Sequence, residues 1–150
     1  MEKAIALSIE NVRSGLGGPF AALVVRNGSI LATGTNQVTT MLDPTAHAEV
    51  VAIRAACQAV SSFQLGDCEM YTTCEPCPMC MGALYWARVA KVYYANTRDD
   101  AARAGFDDSL IYDQLRLAPG ERSISMVQLM REQALEAFRE WEKSSNKVKY

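Results

Sequence analysis

Apolar and polar positions alternate along the chain in two rhythms, one helical and one extended. Ala4, Ile5, Leu7, Ile9 and Val12 fall on a helical period that stops near Gly15, a residue favoured past helix C-termini. Phe20 to Val25 is a short apolar run suited to a strand. Asn27-Gly28 then signals a tight hairpin turn, with Ser29 to Thr33 as the returning strand. Asp43-Pro44-Thr45 reads as a helix start, with a capping residue ahead of a proline already in helical φ, and that helix should run through Ala59. Glu69 to Thr73 predicts a third strand, and Pro76-Cys77-Pro78 opens a helix to about Ala87. Val89 to Ala95 predicts a fourth strand, with Val92-Tyr93-Tyr94 apolar enough for burial on both faces. Ser123 to Gln128 predicts a fifth. Ala134, Leu135, Phe138 and Trp141 mark a last amphipathic helix. Helices alternating with strands argue for a sheet packed between helical layers.

Length and composition sharpen this picture. At 150 residues the chain is expected to form one domain, residues 1–150, large enough to hold a core without disulfide staples. An apolar fraction of 49% with 21% charged residues excludes a disordered or fibrous chain. The net charge of -2 lacks the basic footprint of a general nucleic-acid binder. No apolar run approaches the roughly 18 residues a membrane-spanning helix needs, and no secretory leader is visible, so the expected compartment is the cytoplasm. In that setting an odd count of five cysteines, three of them at Cys74, Cys77 and Cys80, points to metal or redox chemistry rather than to a disulfide framework.

The chemistry sits in two segments, His47-Ala48-Glu49 and Pro76-Cys77-Pro78-Met79-Cys80, each at a predicted helix N-terminus. Cys77 and Cys80, three apart, project from one face of a first turn. The helix N-terminus favours the thiolate, which is the form that binds metal. His47 adds a third ligand and leaves the fourth tetrahedral position open, the arrangement of a catalytic rather than a structural zinc. A water held there has its pKa lowered to about 7, which provides a hydroxide nucleophile at neutral pH. Glu49, two residues beyond the histidine, can take a proton from that water and return it to substrate and leaving group. A closed site is the alternative, because Cys74-Glu75-Pro76-Cys77 is itself a C-x-x-C and could supply a fourth ligand. The open reading explains Glu49 and leaves Cys74 as a small buried residue at a strand end.

The order H-x-E followed by P-C-x-x-C is the signature of the zinc deaminases, so the chain resembles the cytidine-deaminase-like superfamily. The surrounding stretches Asn36 to Thr40, Asp43 to Val50, Cys74 to Cys80, Ala104 to Ser109 and the terminal Lys149-Tyr150 look like bacterial guanine deaminases. That resemblance implies a three-layer α/β/α sandwich with a mixed five-stranded sheet and a homodimer, with one zinc per chain held by His47, Cys77 and Cys80. It implies hydrolysis of guanine to xanthine and ammonia, with Glu49 as proton shuttle. Asn36 and the backbone of Ala48 would hydrogen-bond the purine, Phe20 and Trp86 would wall the pocket, and Asp108 and Tyr150 would complete it. Tyr150 could come from a C-terminal segment exchanged with the partner subunit.

Taken alone, these residues have plainer readings. Asn36 follows a strand, where Asn commonly serves as a turn residue. Phe20 and Trp86 are aromatics whose default is core packing, and Asp107 and Asp108 would be solvated loop charges. A guanosine deaminase, a tRNA deaminase and a non-catalytic zinc module are the competing functions. A tRNA enzyme would want a basic groove, which net charge does not favour, and a non-catalytic module would have no use for Glu49.

Overall fold

The computed structural model describes residues 1–149, which divide into two compact units, residues 1–108 and the residues from 109 onward. The first opens with helix α1, Glu2–Arg13. Its buried stripe is Ala4, Ser8 and Asn11, while Ile5, Ile9 and Val12 stay between 41% and 50% exposed. The helical period was legible, but the face was not. Small side chains let a helix lie close on a sheet, so Ala4 and Ser8 took the inner face that the bulkier residues were expected to occupy.

Strands β1 (Ala21–Arg26) and β2 (Ser29–Thr35) form an antiparallel hairpin. Asn27 and Gly28 both have positive φ, 50° and 75°, as a tight two-residue turn between twisted strands requires. A four-residue helix, α2 (Val38–Met41), precedes α3 (Ala48–Val60). Strand β3 (Cys68–Cys74) pairs antiparallel with β1 and parallel with β4 (Lys91–Asn96). Helix α4, Pro78–Ala87, makes the crossover that a parallel pair needs. The sheet is therefore mixed, in the order β2-β1-β3-β4. Helix α5, Arg98–Arg103, follows, with Thr97 and Asp100 forming a capping box at its start.

Ala22 and Val24 of β1 and Met70 of β3 meet Ala48, Ala52, Ile53 and Ala56 of α3 and Leu84 and Ala87 of α4 in one buried cluster. Side chains alternate along a strand, so the equally buried Ala21 and Leu23 face the other way, and α1 packs against β1 and β3. Helices thus cover both faces of the sheet.

Four strands are present among the described residues, not the expected five. Ser123 to Gln128 joins no ladder, and Ile124, Met126 and Val127 are exposed. Alternation in so short a run reports only that a residue would suit a half-buried pleated surface; it does not supply the neighbouring edge. Strand β4 also departs from expectation. Among the described residues it pairs with β3 alone, and Tyr94 is 51% exposed, so its apolar run belongs to an edge strand. The second unit comprises α6 (Ser109–Arg116), a 3-10 turn at Pro119–Glu121 and α7 (Arg131–Lys143). Only α7 was visible in the sequence.

Strand β2 and the start of α3 approach each other closely. A Cβ built on Gly34 would lie 2.2 Å from the Ala48 carbonyl oxygen and 2.6 Å from the Ala52 nitrogen. Both obstacles are backbone, so they cannot swing aside. Gly34→Ala should destabilise the protein by about 1–3 kcal/mol or more, the usual cost of overpacking, in a denaturant titration. An unchanged midpoint would show that β2 and α3 can separate freely.

Candidate active site

The segment expected to begin a helix at Asp43 instead forms a turn. Asp43 Oδ1 accepts from both the backbone N–H and the hydroxyl of Thr45, at 2.8 and 2.7 Å. These bonds hold the Asp43 carboxyl below its ordinary pKa. A local side-chain acceptor of this kind competes with helix formation. The helix therefore starts five residues later, with His47 extended at its N-cap and Ala48 and Glu49 in its first turn. Helix α4 is built the same way, with Cys77 at the N-cap, Pro78 at the first helical position and Cys80 two residues on. Two helix N-termini thus converge on one point.

His47 Nδ1 lies 3.6 Å from Cys77 Sγ and 3.5 Å from Cys80 Sγ. The ligand atoms of these three residues all fall within 4.8 Å of one another. Zinc bonds of about 2.3 Å to sulfur and 2.0–2.1 Å to nitrogen, at tetrahedral angles, put neighbouring ligand atoms about 3.5–3.8 Å apart. The donor set therefore fits zinc in both chemistry and spacing. A hydrogen bond between the two thiols holds Cys77 down to about 4 and pushes Cys80 far above the ordinary thiol range. The bond to Cys77 in turn raises His47. Metal binding must then displace the Cys80 proton.

Cys74 stands apart from this cluster. It closes β3, its Sγ donates to the Thr97 carbonyl at 3.5 Å, and burial pushes its thiol up to about 11. The ligand atoms gathered within 4.8 Å of one another are those of His47, Cys77 and Cys80, without the Cys74 sulfur.

Glu49 is buried, only 6% exposed. Its Oε1 accepts from the Thr72 hydroxyl at 3.0 Å and its Oε2 from Cys80 Sγ at 3.4 Å. Burial raises its pKa above the usual carboxylate value.

A cavity of about 110 Å³ opens beside the cluster, lined among others by Phe20, Asn36, Ala48, Phe106 and Asp108. The Phe20 and Phe106 rings meet edge to face at 4.9 Å, an apolar wall for a flat ligand. Asn36 is buried, and its Oδ1 accepts from the Gly18 N–H at 3.3 Å. Asn11 reaches from α1 and donates to the carbonyls of both Gly18 and Asn36, each at 2.9 Å. Burial also raises the Asp108 carboxyl, and it is only half-exposed rather than a solvated loop charge. Trp86 is 65% exposed on α4 and is not among the residues lining this cavity. Tyr150 lies outside the described residues. The reading of single positions had not assigned roles to Phe106, Asn11 and Thr72. Their contacts span 86, 25 and 23 positions, beyond any local pattern.

Comparison with known proteins agrees with this geometry. Residues 1–96 match the family model for the cytidine and deoxycytidylate deaminase zinc-binding region. The guanine deaminase of Bacillus subtilis (strain 168) is 50% identical over all of this chain and 96% of its own length. A crystal structure of Bacillus subtilis guanine deaminase superposes with a TM-score of 0.97, covering 99% of this chain and 95% of that one. The tRNA-specific adenosine deaminase of Aquifex aeolicus is 43% identical over 77 residues, about half of each chain (51% and 51%). This chain therefore belongs to the cytidine and deoxycytidylate deaminase zinc-binding family.

Proposed function

We propose that this protein is a zinc-dependent aminohydrolase that converts guanine and water to xanthine and ammonia. The observation that carries the reading is likeness to a guanine deaminase over the whole chain, whereas likeness to tRNA deaminases covers about half to two thirds of it. A solved variant of another relative, 36% identical with a TM-score of 0.68 over 71% of this chain and 62% of its own, holds 8-azaguanine. That ligand is a purine analogue of the proposed substrate's size.

His47, Cys77 and Cys80 would hold the metal. Zinc bound there supplies a Lewis acid that makes a water-derived nucleophile available at neutral pH. Glu49 would take one proton from the attacking water and give it to a ring nitrogen, then take the second from the added hydroxyl and give it to the departing amine. Asn36, its Oδ1 already engaged by Gly18, keeps its amide N–H groups for acceptors on the purine. The Ala48 backbone and Asp108 border the same cavity and would bind the base, with Phe20 and Phe106 against its faces. The functional unit would be a homodimer in the cytoplasm, with Tyr150 brought over the pocket by an exchanged C-terminal segment. Support for the dimer comes from Leu110, Ile124, Val127, Leu129 and Phe138 of the second unit, all exposed in a single chain. No described helix is long and apolar enough to cross a membrane.

The test is ammonia release by the zinc-loaded protein from guanine, guanosine, adenine, cytosine and cytidine. Guanine should be the preferred substrate; preference for the nucleoside or for a pyrimidine would overturn the assignment. Within that assay, Asn36→Ala should lower kcat/KM on guanine by about ten- to a hundredfold, because a buried polar group of the substrate loses its partner. Its cost in folding stability, one hydrogen bond to Gly18, should be only about 1 kcal/mol. A variant whose activity falls no further than its stability explains would return Asn36 to a turn role.

A further inference from the structure

We infer that Thr72 is a positioning residue: its hydroxyl fixes the rotation of the Glu49 carboxylate so that Oε1 is always occupied and Oε2 is the oxygen turned toward the metal ligands. This rests on the proposed role of Glu49 and extends it to the strand beneath.

Glu49 sits in the first turn of α3, where a long side chain on a single helical turn has several rotations open to it. Its two oxygens meet different neighbours. Oε2 faces Cys80 Sγ, a metal ligand, at 3.4 Å, and Oε1 accepts from Thr72 Oγ1 at 3.0 Å. A Cys80 thiolate that binds a metal has released its proton to solvent and has none to donate, so that bond would not hold the carboxylate in the loaded protein. The Thr72 bond can. Thr72 is 1% exposed and stands on β3, an interior strand, opposite Ala22 of β1 and Tyr94 of β4. Ladders on both sides hold its backbone, and β-branching leaves its side chain stiff at χ1. The donor is therefore more rigid than the acceptor it orients. A group that moves a proton must hold its geometry within a fraction of an ångström, and supporting hydrogen bonds from rigid elements provide this. Thr73, the next residue, accepts instead from the Ala21 N–H at 3.0 Å and ties β3 to β1. Of the two adjacent threonines, one supports the sheet and the other the carboxylate.

Thr72→Val and Thr72→Ser separate the hydroxyl from the methyl. Both would be prepared zinc-loaded, with metal content, steady-state kinetics on guanine and crystal structures determined. The valine variant should keep one zinc per chain and a KM within about threefold. Its kcat should fall by about ten- to a hundredfold, as expected for losing a hydrogen bond to a charged group. Its Glu49 carboxylate should adopt a second rotation in the crystal. Serine, which keeps the hydroxyl, should recover most of kcat and the single carboxylate position. Serine as impaired as valine, or a valine variant with kcat within twofold and an unmoved carboxylate, would overturn the inference. The carboxylate position is read without substrate. Should the parent protein deaminate no guanine, the proposed function fails, while that position still decides for or against Thr72.

Discussion

Replacing Glu49 by Gln should leave one zinc per chain and near-normal binding of a purine analogue, yet lower turnover on guanine by about 10²–10⁴-fold. The amide keeps the size of the carboxylate and can still accept from Thr72, so the surroundings have little reason to rearrange. What it cannot do is accept a proton. Measured zinc content and analogue affinity, set beside kcat, separate this loss from a loss of folding. Because Glu49 is buried at the metal cluster and, among the described residues, its side-chain partners are Thr72 and Cys80 rather than a second carboxylate, no neighbour should substitute. Turnover within a few-fold of the parent would remove Glu49 from the reaction.

Cys77→Ala and Cys80→Ala should each abolish metal retention and activity together. Three ligands are the minimum that a catalytic zinc site uses, and the two that remain would leave the metal to solvent. Stability should fall as well, since removing the metal leaves His47 and a lone thiol facing each other at 3.5–3.6 Å without the ion they surround. Cys74→Ala is the control for the four-ligand alternative. Its thiol is bonded to the Thr97 carbonyl and lies outside the cluster, so zinc content by atomic absorption and activity should both survive. Loss of zinc from the Cys74 variant would reinstate a closed site.

The sequence alone determined the parts of this protein that depend on neighbours in the chain. The Asn27-Gly28 turn and its flanking apolar runs define a hairpin, because the backbone conformation of a two-residue turn admits few residue types. Pro78 between Cys77 and Cys80 fixes a helix start that projects two thiols to one side. The His47-Ala48-Glu49 spacing likewise puts a ligand and a carboxylate on one first turn. What lay out of reach were choices among faces, edges and distant partners. Asp43 looked like a helix cap and became a turn because its carboxylate was captured two residues away. Ser123 to Gln128 had the alternation of a strand, but a strand exists only where another edge accepts its hydrogen bonds. On α1 the period was plain, yet close approach to the sheet selected Ala4 and Ser8 over Ile5 and Ile9. Only the tertiary structure could bring Phe106 to Phe20, Asn11 to Asn36 and Thr72 to Glu49. The Cys77–Cys80 pair is written in a short spacing because one helical turn presents both thiols, whereas its meeting with His47 of α3 waits on packing. The shape of the pocket and the surroundings of the Glu49 carboxylate depend on side chains from separate elements, which meet only when the core is packed.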